Sequence, residues 1–233
     1  MKKLINKGKL IVIDGADGSG KATQVKMLVE RFLKEKKKVK SIDFPRYGSN
    51  HFGTLIGRGL AGELGDFVAH DPHIISTLYA ADRFESSGEI KKWLEEGHIV
   101  VADRYVSANQ IHQGGKIQDS RKRKKFLQWL DTMEFEVFKI PRPDIVLFLD
   151  VPLEVSFKLL KEKDQKSKKT YLKNKKDVVE NSLTYMKNSR DNILRLIKDK
   201  NTFTKIDCTA KGEILPREHI HEKIYSAVIH LVK

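Results

Sequence analysis

One segment of the sequence has the glycine spacing that phosphate binding requires. It is Gly15-Ala-Asp-Gly-Ser-Gly-Lys21, which matches G-x-x-x-x-G-K and lies between an apolar run and an amphipathic stretch from Thr23 to Lys36. Its glycines let successive N–H groups face one anion, and Lys21 would reach the β- and γ-phosphates of a nucleoside triphosphate. The predicted contacts of this phosphate-binding loop are Gly15, Ala16, Asp17, Gly18, Ser19, Gly20, Lys21, Ala22 and Thr23.

The residue after Lys21 departs from this pattern. A Ser or Thr hydroxyl normally ligates Mg²⁺ there, but this chain has Ala22, which offers no ligand. Thr23 is a poor substitute, since one step along a helix turns a side chain by about 100°. We therefore expect Mg²⁺ to be held through water or carboxylates. The carboxylates available for this are Asp14, Asp17 and Asp103.

The elements that must position these residues follow from the alternation of short apolar runs with longer amphipathic stretches. The runs are Leu10–Asp14, Val39–Phe44, Ile99–Asp103, Ile145–Asp150 and Phe203–Asp207. They predict an α/β fold in which a five-stranded parallel sheet of the P-loop NTPase type is covered by helices on both faces. Three strands end in Asp14, Asp103 and Asp150, so we expect these aspartates to cluster at one edge of the sheet.

Composition fits a single globular domain over residues 1–233. The chain is 39% hydrophobic and 33% charged, without an apolar run of about 18 residues or a cleavable signal, so membrane embedding and export are not expected. Cys208 is the only cysteine, which excludes an internal disulfide and favours the cytoplasm. Lys158–Lys176 carries nine lysines against Glu162 and Asp164, which predicts a mobile lid at about residues 161–176.

Six segments of the chain resemble thymidylate kinases, a family of P-loop nucleoside monophosphate kinases. They are GADGSGKATQ from Gly15, DFPRYGS at 43–49, STLYAADRFE at 76–85, ADRYVSANQIHQGG at 102–115, PDIVLFLDVP at 143–152 and KKDVVENSLTYMK at 175–187. The resemblance implies transfer of the ATP γ-phosphate to dTMP, giving dTDP for dTTP biosynthesis, with Mg²⁺ as cofactor. It also implies a homodimer.

The acceptor phosphate needs a cation beside the phosphate-binding loop. A phosphomonoester carries nearly two negative charges, and a guanidinium can hold it in line with the γ-phosphate. Arg104, just beyond the third strand, suits this role, with an ordinary surface salt bridge as the alternative. The resemblance adds Arg46 and Tyr47 as phosphate contacts, and Asp17 as a contact to the sugar 3′-hydroxyl or the Mg²⁺ shell. The catalytic candidates are thus Lys21, Arg104, Asp17 and Asp103.

Base and sugar recognition can be assigned only by the resemblance. It implies Phe44, Tyr79, Arg83, Asn109 and His112 as contacts. Tyr79 and Arg83 are four residues apart on one helical face. From spacing alone they could equally be a core residue and an arginine paired with a carboxylate. His112 stands where the family tends to have an aromatic residue that crowds the sugar 2′ position, so we expect weaker steric exclusion of ribose.

The lid must supply further positive charge, because Gly18 stands where some family members carry a basic residue. No arginine occurs between Arg142 and Arg190, so lid cations have to be lysines acting as point charges. The candidates are Lys168, Lys169 and Lys173. Asp177 and Glu180 follow the lid, where they either ligate Mg²⁺ or cap the next helix.

Two other functions remain compatible with the sequence. A related kinase could prefer dUMP, because the 5-methyl group that separates it from dTMP supports only about 10- to 200-fold discrimination. A nucleic-acid-binding protein with a kinase fold is favoured by the net charge of +14 and the run RKRKK at 121–125. No RNA-binding aromatic signature or zinc pattern accompanies that charge, so nucleic-acid binding is not the expected function.

Overall fold

The computed structural model describes residues 7–67, 69–156, 158–159, 183–199 and 202–232. The predicted lid, with Lys168, Lys169 and Lys173, and the two acidic residues after it, Asp177 and Glu180, lie outside these ranges. Within them, no helix is both long and apolar enough to cross a membrane.

Five parallel strands form a single sheet, as predicted. They are β1 (Lys9–Gly15), β2 (Val39–Asp43), β3 (Ile99–Asp103), β4 (Ile145–Asp150) and β5 (Phe203–Asp207), in the order β2-β3-β1-β4-β5. β1 is the central strand, and Leu10 to Ile13 are fully buried there. A strand with helices on both faces needs apolar side chains on both, which explains its unbroken apolar run.

α-Helices surround this sheet, and the bounds of eight of them are described. They are α1 (Lys21–Lys34), α2 (His51–Leu60), α3 (Pro72–Glu85), α4 (Ser87–Glu95), α5 (Val106–Lys116), α6 (Ser120–Asp131), α7 (Leu183–Asp199) and α8 (Arg217–Val228). A π-helix (Thr132–Val137) continues α6, and a 3₁₀ turn (Ile229–Leu231) follows α8. Two short strands, β6 (Thr209–Ala210) and β7 (Glu213–Ile214), pair as a separate hairpin.

Alternate residues of β1 serve two separate hydrophobic cores. Ile11 and Ile13 pack with Leu28 of α1 and Ile224 of α8 on one face of the sheet. Leu10 and Val12 pack on the other face with residues of α3 to α7, among them Ile111 and Ile193. The sheet is therefore fixed from both sides, which makes its carboxyl edge a rigid base for a site.

The three strand-end aspartates lie at this carboxyl edge, as predicted. Asp103 is in register with Ile13 of β1 and with Asp43 of β2. Asp14 and Asp103 both act electrostatically on Lys21. Asp150 instead forms a bidentate ion pair with Arg190 of α7, at 3.0 and 3.2 Å. Asp14 and Asp103 thus lie beside the phosphate-binding loop, whereas Asp150 holds α7 against the sheet.

Candidate active site

The phosphate-binding loop has the backbone shape that its sequence predicts. Gly18 and Gly20 have φ angles of 81° and 87°, in the left-handed region that glycine adopts without strain. A Cβ on Gly15 would approach the Ser19 hydroxyl to 2.7 Å, so the loop is also tightly packed. α1 begins at Lys21 with no side chain capping its first N–H groups. These N–H groups are thus left for an anion.

Lys21 is held inside this loop. Its Nζ donates to the carbonyl oxygens of Gly15 and Ala16 at 3.0 and 2.9 Å, and only 8% of the residue is exposed. Burial and the nearby Arg104 lower the pKa of Lys21, while the carboxylates of Asp17 and Asp103 oppose that shift. The loop therefore contains a buried cation at its centre.

Asp17 joins this cation to the predicted acceptor-phosphate residue. Its Oδ1 accepts from Arg104 Nη2 at 2.6 Å and lies 3.7 Å from Lys21 Nζ. Burial disfavours the charged form of Arg104, but the carboxylates of Asp17, Asp14 and Asp103 outweigh it and raise the pKa of the guanidinium. Asp17 thus links Lys21, the predicted triphosphate contact, to Arg104, the predicted acceptor-phosphate contact.

The backbone of Arg104 is itself unusual. Its φ is 65°, a left-handed value that side-chain-bearing residues seldom adopt, and its N–H donates to the Ile13 carbonyl oxygen at 2.9 Å. Its Nε is buried and has no hydrogen-bond partner among the described residues. Strained backbone and an unpaired buried donor both mark functional sites. A surface salt bridge does not account for this residue.

A concave pocket opens beside Arg104, and its lining is partly polar and partly aromatic, as is common in small-molecule sites. Most of the predicted acceptor-site residues line it: Asp17, Phe44, Tyr47, Tyr79, Arg83, Arg104, Asn109 and His112. Phe67, Ile75 and Tyr105 add apolar wall. The pocket therefore combines a cationic end with an aromatic body.

Arg46 is placed differently from its prediction. Its guanidinium does not line the pocket but contacts Glu89 Oε2 at 3.1 Å and Ser86 Oγ at 3.3 Å. The Glu89 carboxylate draws the side chain away from Arg104. What the FPRY segment does bring to the pocket is Phe44, Pro45 and Tyr47.

Both sequence-based interpretations of Tyr79 and Arg83 hold in part. Tyr79 packs on the small cluster of Ile56, Leu60, Phe67 and Ile75, and its ring lies 6.5 Å from that of Phe67. Arg83 is paired with a carboxylate, Glu134, through its Nε at 3.0 Å and through its Nη2. Both residues nevertheless line the pocket.

His112 forms part of a wall rather than an isolated contact. Its ring is parallel to that of Tyr185 of α7 with 5.7 Å between centroids, and its Nδ1 lies 3.1 Å from Ser189 Oγ. Burial, followed by Arg104, lowers the pKa of His112 to about 3, so the imidazole is neutral at physiological pH. The stacked pair lines both the pocket beside Arg104 and a second, smaller pocket beside Ala16.

Sequence reasoning missed four polar residues that line or support the pocket: Gln113, Lys116, Glu134 and Tyr185. Gln113 is 5% exposed, and its Oε1 has no partner within the described ranges. Burial lowers the pKa of Lys116 to about 8. Gln113 lies one turn and Lys116 two turns after Asn109 on α5, and this spacing could have indicated them. Glu134 and Tyr185 carried no such signal.

The residues around Lys21 form an acidic edge rather than a preformed metal cage. No group of three or more His, Cys, Asp or Glu in the described chain is arranged to hold a metal ion. Burial raises the pKa of Asp103, and Lys21 and Arg104 oppose that shift. Ala22 is exposed at the start of α1.

Comparisons with known proteins identify the family. A sequence model described as thymidylate kinase matches residues 13–220. A thymidylate kinase of Mycobacterium tuberculosis is 31% identical over 147 residues, covering 63% of this chain and 68% of that protein. A probable thymidylate kinase of Thermococcus gammatolerans is 36% identical over 159 residues, covering 65% and 69%.

A solved structure supports the same fold. The thymidylate kinase of Candida albicans aligns over 97% of this chain and 92% of its own, with a TM-score of 0.71 and 21% identity. At that identity the likeness shows the P-loop NTPase fold alone. The family match covers most of the chain, so the protein belongs to the thymidylate kinase family and is an ATP-dependent kinase.

Proposed function

We propose that this protein transfers the γ-phosphate of ATP to dTMP between Lys21 and Arg104, with the acceptor base in the aromatic pocket. The observation that carries the proposal is the chain Lys21–Asp17–Arg104, which joins the phosphate-binding loop to the pocket through one carboxylate. Phosphoryl transfer depends mainly on positioning and on cations around the transferred group. Lys21, Asp17 and Arg104 together provide both the positioning and the cations.

The triphosphate side is built from the loop 15–23 and the start of α1. Backbone N–H groups face the phosphates, and Lys21 supplies a buried positive charge beside the γ-phosphate. Because Lys21 is already held by the carbonyl oxygens of Gly15 and Ala16, little conformational entropy is lost when the nucleotide binds.

The acceptor phosphate binds at the other end of the charge chain. Arg104 has Nη2 on Asp17, and its buried Nε is left as a donor for a phosphate oxygen. The γ-phosphate of ATP and the phosphate of dTMP would then lie in line, at opposite ends of the charged row. Holding both reactants in this way lowers the entropic cost of the transfer. Asp17 keeps Arg104 oriented and lies near the expected sugar 3′-hydroxyl.

Mg²⁺ fits this edge through carboxylates and water. It usually keeps several waters and takes one or two protein carboxylates plus substrate phosphates. Asp17 and Asp103 beside Lys21 meet that need, and Asp14 lies behind them with its Oδ2 accepting from Ser107 Oγ at 2.6 Å. When held there by Asp17 and Asp103, Mg²⁺ would supply positive charge that neutralises the phosphates. Ala22 takes no part in holding it.

The base lies between aromatic side chains with polar groups at its edge. Phe44 and Tyr79 provide flat apolar surface, while Arg83, Asn109 and Gln113 offer hydrogen bonds. The buried Gln113 Oε1 has no partner within the described residues, so it can accept a hydrogen bond from a bound ligand or an ordered water. The His112–Tyr185 wall meets the sugar.

We also propose a homodimer in the cytoplasm. An exposed apolar patch, defined here as Phe84, Val137 and Phe138, lies where the end of α3 meets the π-helix. Phe84 is 51% and Val137 65% exposed, and the rings of Phe84 and Phe138 are 5.1 Å apart. Exposed aromatic clusters of this kind are typical of interfaces. The buried free thiol of Cys208 suits a reducing compartment.

Separate binding and turnover measurements on two variants test the residue assignment. Lys21→Met should lower kcat by about 10²–10³-fold, the usual cost of removing a group that stabilises transition-state charge, while calorimetry shows dTMP binding within about threefold of wild type. Arg104→Ala should instead abolish measurable dTMP binding and leave the binding of a non-hydrolysable ATP analogue nearly unchanged. An Arg104→Ala protein that binds dTMP normally would contradict the proposal.

A further inference from the structure

Glu134 is a buried carboxylate that the mechanism above does not use. It is 0% exposed and lies on the π-helix Thr132–Val137. A buried charge is costly unless it is paired and hydrogen-bonded, so its partners decide its purpose. In the described structure those partners are Arg83 and Asn109, both of which line the acceptor pocket.

The π-helix explains how this carboxylate reaches the pocket. Its wider turn is closed by the Phe138 N–H, which donates to the Met133 carbonyl oxygen five residues back at 2.9 Å. Met133 and Glu134 are buried on its inner side, whereas Glu136 and Val137 are exposed. Single π-turns inside helices are rare and often occur at functional sites.

Glu134 uses one edge of the Arg83 guanidinium. Nε and Nη2 both donate to the carboxylate, in the two-bond arrangement that fixes a guanidinium plane. No described residue accepts from Nη1, so both of its hydrogens are available to another acceptor. Since Arg83 is only 1% exposed, that acceptor has to be a group inside the pocket.

Glu134 and the Ser76 carbonyl oxygen together fix which way the Asn109 amide faces. Asn109 Nδ2 donates to the Ser76 carbonyl oxygen at 3.1 Å and makes a longer contact of 3.5 Å with Glu134 Oε1. Two acceptors on this side require the NH₂ group there, because the amide oxygen would be repelled. The Asn109 carbonyl oxygen is thereby left as an acceptor for the base.

We propose that Glu134 is a positioning residue that sets the hydrogen-bond polarity of the base pocket: Arg83 as donor and Asn109 as acceptor. Thymine offers the complement, a carbonyl oxygen at C4 beside an N3–H. Cytosine offers the reverse, an amino group at C4 beside an unprotonated N3, and would leave both protein groups unpaired. A site built for one such pattern rejects the other strongly. The inference rests on the proposed dTMP kinase function and deepens it.

Kinetics of Glu134→Gln with dTMP and dCMP test the inference. Glutamine keeps the size of the side chain, but it removes the charge and has one acceptor oxygen, so it cannot accept from both Arg83 nitrogens and its NH₂ group would face Arg83 or Asn109. We expect KM for dTMP to rise about tenfold or more, with kcat and KM for ATP within twofold, and the dTMP-to-dCMP ratio of kcat/KM to fall at least tenfold. Glu136→Gln, on the exposed side of the same π-helix, should match wild type.

The kinetic constants distinguish a positioning role for Glu134 from a purely structural one. Wild-type values of KM and selectivity in Glu134→Gln would overturn the inference. A folded variant in which kcat falls and KM rises equally for dTMP and ATP would also overturn it, because such a change is not specific to the base pocket. If Glu134→Gln does not fold, Glu134→Asp keeps the charge on a shorter arm. Its KM for dTMP should then rise with kcat unchanged, and an unchanged KM would overturn the inference. A wild-type protein inactive with dTMP would instead overturn the proposed function itself.

Discussion

Asp17 is the residue on which the two halves of the site depend. Its carboxylate lies between Arg104 Nη2 and Lys21 Nζ, so one negative charge keeps two cations oriented toward different phosphates. Two like charges held this close repel each other unless a carboxylate lies between them. The loop position of Asp17 therefore matters as much for electrostatics as for any contact with substrate.

Asp17→Asn tests this bridging role. The amide keeps the shape and an acceptor atom but removes the charge, and a hydrogen bond to a charged group contributes about 1.5–3 kcal/mol, so kcat/KM should fall roughly 10- to 100-fold for both substrates. Steady-state kinetics with each substrate varied in turn measure this. Glu63→Gln, which removes a charge from the exposed pair with Arg58, is the control and should leave both values unchanged. A loss confined to ATP would contradict the bridge.

His112 makes a separate prediction about pH. Its pKa is lowered from 6.5 to about 3 in the folded protein, so the unfolded chain binds a proton first as the pH falls. The neutral imidazole therefore makes its full contribution to the free energy of unfolding above pH 6.5, and this contribution is lost progressively between pH 6.5 and 3. At pH 5 that loss is about 2 kcal/mol.

Denaturant unfolding of wild type and His112→Phe at pH 7 and pH 5 measures this loss. Phenylalanine preserves an aromatic ring against Tyr185 but does not titrate. The decrease in unfolding free energy between the two pH values should be about 2 kcal/mol smaller in the variant. Equal decreases in both proteins would show that His112 is protonated normally when folded.

At the scale of elements, α2 shapes the base pocket from outside through one close contact. A Cβ on Gly59 would come within 2.3 Å of the Phe67 ring, which is 4% exposed and lines the pocket. The glycine is thus required for the approach of the helix to Phe67 rather than for its backbone angles. Overpacking at such a contact typically costs about 1–3 kcal/mol.

Gly59→Ala should therefore lower the melting temperature and raise KM for dTMP by displacing Phe67. Gly88→Ala is a matched control, because a Cβ there meets nothing within 4 Å and α4 should gain up to about 1 kcal/mol. Thermal melts and dTMP kinetics on both variants give the comparison. A Gly59→Ala protein as stable as Gly88→Ala would show that the Phe67 ring moves freely.

Elements that depend on local pattern were predictable from sequence, and those that depend on packing were not. The bounds of β3, β4 and β5 agree with the apolar runs, because a strand buried on both faces has no polar residue until it ends. The π-helix has no sequence signature, so the inward turn of Glu134 could not be foreseen. The contact between Arg46 and Glu89 could not be foreseen either, because Glu89 is 43 residues away along the chain.

At the scale of the whole molecule, the apolar patch of Phe84, Val137 and Phe138 predicts association. Phe84→Glu should convert a homodimer to a monomer in light scattering after size exclusion, because a charge would be buried at the interface. Leu33→Glu, an equally exposed apolar position on α1 at 56%, should remain dimeric. A wild-type protein that is monomeric at tens of micromolar would contradict the dimer.

The net charge of +14 is also a property of the whole molecule. It draws anions toward the protein, but it does not distinguish a nucleotide from a nucleic acid. The site favours a nucleotide, since the pocket beside Arg104 is a small concavity lined by buried side chains such as Arg83 and Asn109 rather than an extended groove. Catalysis should accordingly depend on salt much less steeply than nucleic-acid binding does.

The most direct test of the account is ADP release with ATP and Mg²⁺, measured in parallel with dTMP, dUMP, dCMP, dGMP and no acceptor. The account predicts acceptor-dependent turnover that is fastest with dTMP, lower with dUMP by about 10- to 200-fold at most, and far lower with dCMP. Fastest turnover with another monophosphate would contradict the base assignment. The absence of acceptor-dependent turnover with any of them would contradict the proposal that the protein phosphorylates a nucleoside monophosphate.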